Sequence, residues 1–172
     1  MKPALITLPP HLAPRIAADQ AAHLIGIGNP ALLAEPLLAF IASRQCPGHV
    51  FIETLERVPH WAKAGRVLVS GFHSPLEQQV LHSLLRRQGR AVKVLARHLL
   101  PDRDYRPAAE EREPLAQGRL LIVSASPAAE TRTTRASALA RNGLVLVLAH
   151  EHWAPRIAPE SPLTALRADD VV

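Results

Sequence analysis

Arg66-Val67-Leu68-Val69-Ser70-Gly71-Phe72-His73-Ser74-Pro75-Leu76-Glu77 decides how this chain is read. An apolar, β-branched run predicts a short strand. Ser70-Gly71 predicts a tight turn. Ser74, Pro75 and Glu77 then stand as N-cap, first helical residue and third residue of a helix, which is a capping box. A strand that feeds directly into a helix N-terminus aims backbone N–H groups at one point. Such a point suits an anion, most often a phosphate.

Working outward, the same alternation recurs. Residues 22–28 predict a first strand that ends in glycines. Residues 31–44 carry apolar side chains at helical spacing (Leu33, Leu37, Leu38, Ile41). His49 to Ile52 reads either as a short strand or as the start of a helix to Ala64. The helix is preferred because Phe51, Leu55 and Val58 share one face, although Pro59 disturbs it. The second strand is 66–70, followed by a helix over 74–88. A third strand covers 91–96. A loop with a short helix near 108–116 leads to a fourth strand at 119–123. A helix over 130–141 and a fifth strand at 144–149 complete the pattern. Strands apolar on both faces belong to a parallel sheet covered by helices. The expected fold is therefore α/β: a Rossmann-like open, mainly parallel sheet of about five strands with helices on both faces. Residues 1–19, rich in proline, read as a loose arm, and 20–172 as a single domain. A last short helix is expected near 161–168.

Composition narrows the function. The 172 residues carry a net charge of +5, and the pI is about 10.3. The lysines are only Lys2, Lys63 and Lys93, so the positive charge is mostly arginine, which makes planar, bidentate contacts with phosphate. GC-rich coding produces the same bias, so charge alone does not establish a nucleic-acid partner. Aromatic residues make up 3%, which argues against a base-stacking platform. No apolar run reaches the roughly 18 residues of a membrane span, and the N-terminus does not read as a signal peptide. The single cysteine, Cys46, excludes an internal disulfide framework and fits a reducing cytoplasm.

In open parallel sheets, ligands bind beyond the carboxyl ends of the strands. The candidate ligand or phosphate contacts are therefore Gly26, Gly28 and Asn29 after the first strand, and Ser70, Gly71, Phe72, His73 and Ser74 after the second. Arg97 follows the third. Gly26-Ile27-Gly28 lacks the third glycine of a dinucleotide fingerprint, and turn geometry explains its glycines equally well. Arg132 and Arg135 lie three apart and are expected on one face of the helix at 130–141. Glu77 is the candidate acid or base, although the capping box accounts for its position. His150 and His152 would point the same way from a strand, but two ligands do not make a zinc site. No metal site and no cofactor are expected. Cys46 has no paired histidine and reads as a structural thiol.

The order of these motifs resembles the DNA-processing protein A (DprA/Smf) family, a Rossmann-like group distantly related to the LOG, or lysine-decarboxylase-like, proteins. Ser43-Arg44-Gln45-Cys46-Pro47-Gly48 and Gly71 to Glu77 resemble its small stand-alone bacterial members. The resemblance places the family's Gly-Ser-Arg turn at Gly26–Asn29. Counting back from Leu144–Val147, it places the outer arginines of an Arg-Arg-Asn-Arg segment at Arg132 and Arg135, so that Thr133-Thr134 replace the inner Arg-Asn. The Pro-Gly-Gly-x-Gly-Thr motif of the LOG enzymes is absent. The resemblance implies a protein that binds nucleotide phosphate or single-stranded DNA without catalysis, in the cytoplasm and as a homodimer. The alternative is a small enzyme acting on nucleotides or related phosphorylated metabolites.

Overall fold

The computed structural model describes residues 1–155. Its elements are β1 (Ala4–Leu5), α1 (Ala18–Ala22), β2 (Ile25–Gly28), β3 (Leu37–Phe40), α2 (Gly48–Lys63) and β4 (Val67–Ser70). They continue with α3 (Pro75–Arg86), β5 (Arg90–Val94), α4 (Ala109–Ala116), β6 (Leu120–Ser124), α5 (Arg135–Leu148) and β7 (Glu151–Trp153). The described strands form one mixed sheet of seven, in the order β1-β2-β6-β5-β4-β3-β7. The five from β6 to β7 run parallel. The other two are antiparallel additions at one edge.

The alternation of side chains sorts the core into two layers. Leu37, Ala39, Val67, Val69, Val92, Val94, Leu121 and Val123 join Leu144, Val145 and Leu148 of α5 in one core. Leu38, Phe40, Leu68, Ala91, Leu120 and Ile122 join α2, α3 and α4 in the other. This is the expected α/β architecture, with two more strands than the sequence suggested.

Four expectations need correction. Residues 31–44 are not a helix: a 3-10 turn at Pro30–Ala34 precedes the strand β3. Every residue of β3 is buried, and an uninterrupted apolar run carries no period that separates a buried strand from a helix. Residues 144–149 are not a strand. They are mostly the last turns of α5, with Leu144, Val145 and Leu148 buried at helical spacing. The final strand is β7, beside β3. Strand β2 runs antiparallel to β6 rather than as a parallel strand. The segment 1–19, read as loose, is tied down: β1 pairs with β2, and Leu12 and Ile16 are buried in the core. The helix expected at 161–168 lies outside the described residues.

Candidate functional site

Strands β3, β4 and β5 are adjacent and parallel, so their carboxyl ends open onto one edge. The turn after β4 is the sharpest. Phe72 has φ 46° and is only 3% exposed. A bulky residue in the left-handed region costs on the order of 1–3 kcal/mol, and such strain is characteristic of functional turns. The Phe72 N–H donates to Ser70 Oγ at 3.1 Å. Ser74 then caps α3, its Oγ accepting the Glu77 N–H at 3.3 Å. The capping box read from sequence is present.

The Glu77 carboxylate does more than close that box. Its Oε2 accepts the N–H groups of His73 at 2.8 Å and Ser74 at 3.1 Å. Its Oε1 accepts the N–H of Ala42, just past β3, at 3.0 Å. The side chain is 3% exposed. Two of these donors, His73 and Ser74, belong to the turn the sequence reading aims at a ligand, and here the chain's own carboxylate accepts them. With its lone pairs committed to backbone donors, Glu77 is poorly disposed to move protons.

The turn after β3 lies alongside. Ser43 is buried, and the Cys46 thiol donates to its carbonyl at 3.3 Å. Burial first, then the Glu77 carboxylate, push the Cys46 pKa up. The thiol's hydrogen bond ties Cys46 back onto the turn.

Above these turns lies Arg141 of α5, 9% exposed. Its guanidinium covers the Cα of Gly71 so closely that a Cβ there would sit 2.1 Å from Nη1. This contact explains the glycine. Arg141 Nε donates to Asn142 Oδ1 at 2.9 Å. Among the described residues, Nη1 and Nη2 have no hydrogen-bond partner. Burial lowers the Arg141 pKa and the Glu77 charge counters that shift. Arginine nonetheless keeps its proton in proteins, so a largely buried cation stands over Gly71 with Nη1 and Nη2 making no hydrogen bond to the described residues.

The predicted residues divide between two places. Ser70, Gly71, Phe72, His73, Ser74 and Glu77 form the crevice. Arg97 follows β5 at the same sheet end, exposed, with its carbonyl accepting from Ser124 Oγ at 2.7 Å. Arg132 lies in the segment before α5 and Arg135 is its first residue, so they do not share a helical face as expected. Both are exposed. Gly26 lies within β2, opposite Val123 near the carboxyl end of β6, whereas Gly28 and Asn29 are elsewhere. Because β2 is antiparallel, Gly28 pairs with Leu121 near the start of β6, at the opposite end of the sheet. There Asn29 Nδ2 donates to the Gly118 carbonyl at 2.9 Å. His150 and His152 do not converge either. His150 Nδ1 accepts the Leu37 N–H at 3.2 Å, while His152 Nε2 lies 3.3 Å from the Leu146 carbonyl. No group of three potential metal ligands occurs among the described residues.

Sequence reading missed Arg141 and Asn142, and did not identify Ala42-Ser43-Arg44 as a strand-end turn. Signals for both were present. Ala42-Ser43-Arg44 matches two residues of a Gly-Ser-Arg turn, and Arg141-Asn142 matches the inner pair of Arg-Arg-Asn-Arg. Mistaking β3 for a helix hid the first. Mistaking the end of α5 for a strand shifted the second onto Arg132 and Arg135.

A mainly parallel α/β sheet covered by helices on both faces is a Rossmann-like fold. The chain belongs, more narrowly, to the DNA recombination-mediator protein A family, whose model matches residues 8–153. Its fold is similar to that of DNA processing protein A from Helicobacter pylori, a protein described for its single-stranded DNA binding mode. That match has a TM-score of 0.71 and 23% identity over 94% of this chain and 74% of that one. DNA processing protein A from Streptococcus pneumoniae matches with a TM-score of 0.64 and 24% identity, over 87% of this chain. There the match spans about half of the other protein's length, 54%. No curated protein matches the chain significantly. No helix among the described residues is long and apolar enough to cross a membrane.

Proposed function

We propose that this protein binds the sugar–phosphate backbone of single-stranded DNA at the carboxyl edge of its sheet, in the service of DNA processing. One observation carries the reading: the Arg141 guanidinium is buried against Gly71 with Nη1 and Nη2 unpartnered among the described residues. A buried cation gains most from an anion that completes its hydrogen bonds. The exposed Arg44, Arg97, Arg132 and Arg135 extend positive charge around it, as a chain of phosphates requires. Family membership supports the assignment.

The low aromatic content favours backbone contacts over base stacking, so binding is expected to tolerate sequence. A second copy of the chain is proposed as a partner, because pairing would lengthen the phosphate track. Sedimentation at micromolar concentration reads the pairing directly. The proposed compartment is the cytoplasm, where single-stranded DNA and a reduced Cys46 coexist.

A salt titration of a fluorescent oligothymidylate tests the function. With about four phosphate contacts, affinity falls about fifty-fold between roughly 50 and 200 mM salt. Absence of binding at the lower salt contradicts the proposal.

A further inference from the structure

The hydrogen bonds of Glu77 exceed what capping α3 requires. A capping box needs the carboxylate to accept one N–H, that of the N-cap residue. Here it accepts three, from Ala42, His73 and Ser74. Two come from the turn after β4 and one from the separate turn after β3. The donors therefore converge from two loops on a position 97% shielded from solvent. Convergent backbone N–H groups at a helix N-terminus are what a terminal phosphate or a free carboxylate would seek. The nearby Arg141 guanidinium, with its two Nη atoms unpartnered among the described residues, supplies the cation such a site would carry.

We infer that Glu77 is a resident anion, which fills the donor cluster a terminal phosphate would otherwise occupy and thereby sets the specificity of the crevice. Free phosphate and mononucleotides are refused, because their terminal oxygens find the N–H groups taken and a negative charge already in place. A phosphodiester needs no such cluster and is met by arginine side chains. The resident anion stands on the hydrogen bonds alone, whereas the preference for a phosphodiester rests on the single-strand reading above. Glu77 is thus a positioning and specificity residue.

The test compares wild type with Glu77→Gly and Glu77→Gln. Thermal unfolding is followed in sodium chloride, phosphate and formate at equal ionic strength, together with ³¹P line broadening of inorganic phosphate. Wild type is expected to show no phosphate-specific rise in Tm and no ³¹P broadening. Glu77→Gly is expected to melt lower in chloride and to gain about 3 °C or more in phosphate or formate, with ³¹P broadening. Glu77→Gln, which still fills the space, is expected to gain less. Equal responses in wild type and Glu77→Gly overturn the inference, as does a Glu77→Gly protein that neither anion restores. An oligothymidylate arm on wild type separates the two proposals. Loss of the single-strand reading leaves the anion response of Glu77→Gly intact, and the converse also holds.

Discussion

The two ends of the sheet each carry a glycine turn with a polar neighbour, and they put these to opposite uses. At the antiparallel edge, Gly28 has φ 103°, and a Cβ would lie 2.2 Å from the Leu120 carbonyl. Asn29 spends both ends of its amide on backbone groups, donating to Gly118 and accepting from Ala31. That end is closed by backbone packing. At the carboxyl edge, what stands over Gly71 is the end of a side chain, the Arg141 guanidinium. Behind it lie a buried carboxylate and a strained Phe72. Glycine content alone does not mark a ligand site. What stands over the missing Cβ does: backbone in the first case, a guanidinium in the second.

Substitutions can separate the two ends. Gly28→Ala meets backbone at a conformation alanine rarely adopts, and is expected to cost about 3 kcal/mol of stability. Oligonucleotide affinity per folded molecule should not change. Chemical denaturation with a parallel binding titration checks both. Arg141→Met should act on binding. Affinity per folded molecule is expected to fall about ten- to a hundred-fold, the worth of a charged hydrogen bond at roughly 1.5–3 kcal/mol. Stability is expected to fall as well, because the buried Glu77 carboxylate loses its nearby cation. Arg132→Ala removes only an exposed charge. A loss of about two- to fivefold is expected, with a salt slope shallower by about 0.7, one phosphate's share.

The smallest effect concerns pH, at the end away from the crevice. Burial, then Arg15 and His11, hold the His150 pKa below its ordinary 6.5, with Glu151 opposing. A histidine whose pKa is depressed in the fold binds fewer protons folded than unfolded. Its stabilising contribution is therefore present above pH 6.5 and is lost as pH falls below it. The imidazole Nδ1 that accepts the Leu37 N–H must stay unprotonated to do so. His150→Gln is expected to flatten that part of the stability profile below pH 6.5, with oligonucleotide affinity at pH 7.5 unaltered.

Local chemistry was legible and long-range chemistry was not. The Ser74–Glu77 box and α3 follow from residues within a turn of each other, and the sequence shows them plainly. Strand β3 and the end of α5 were exchanged in type because Leu37–Phe40 and Leu144–Leu148 are both unbroken apolar runs. Only their neighbours in space decide between strand and helix. The direction of β2 depends on pairing with β6, almost a hundred residues away in the chain, and no local signal encodes it. The Glu77 bond to Ala42 spans 35 residues, and the contact of Arg141 with Gly71 spans more. The sequence marked the turn at Gly71 as important. It could not show that the anion expected there was already supplied by the chain.

The central claim is that nucleic acid meets the carboxyl edge of the sheet and not its glycine-rich antiparallel edge. An oligothymidylate titration of ¹⁵N-labelled protein, followed by amide chemical shifts, tests this most directly. The account predicts perturbations at 42–46, 71–74 and 141–142, with Gly28, Asn29 and Gly118 unmoved. Shifts centred on Gly28–Asn29, with Gly71–Ser74 and Arg141 silent, would contradict it.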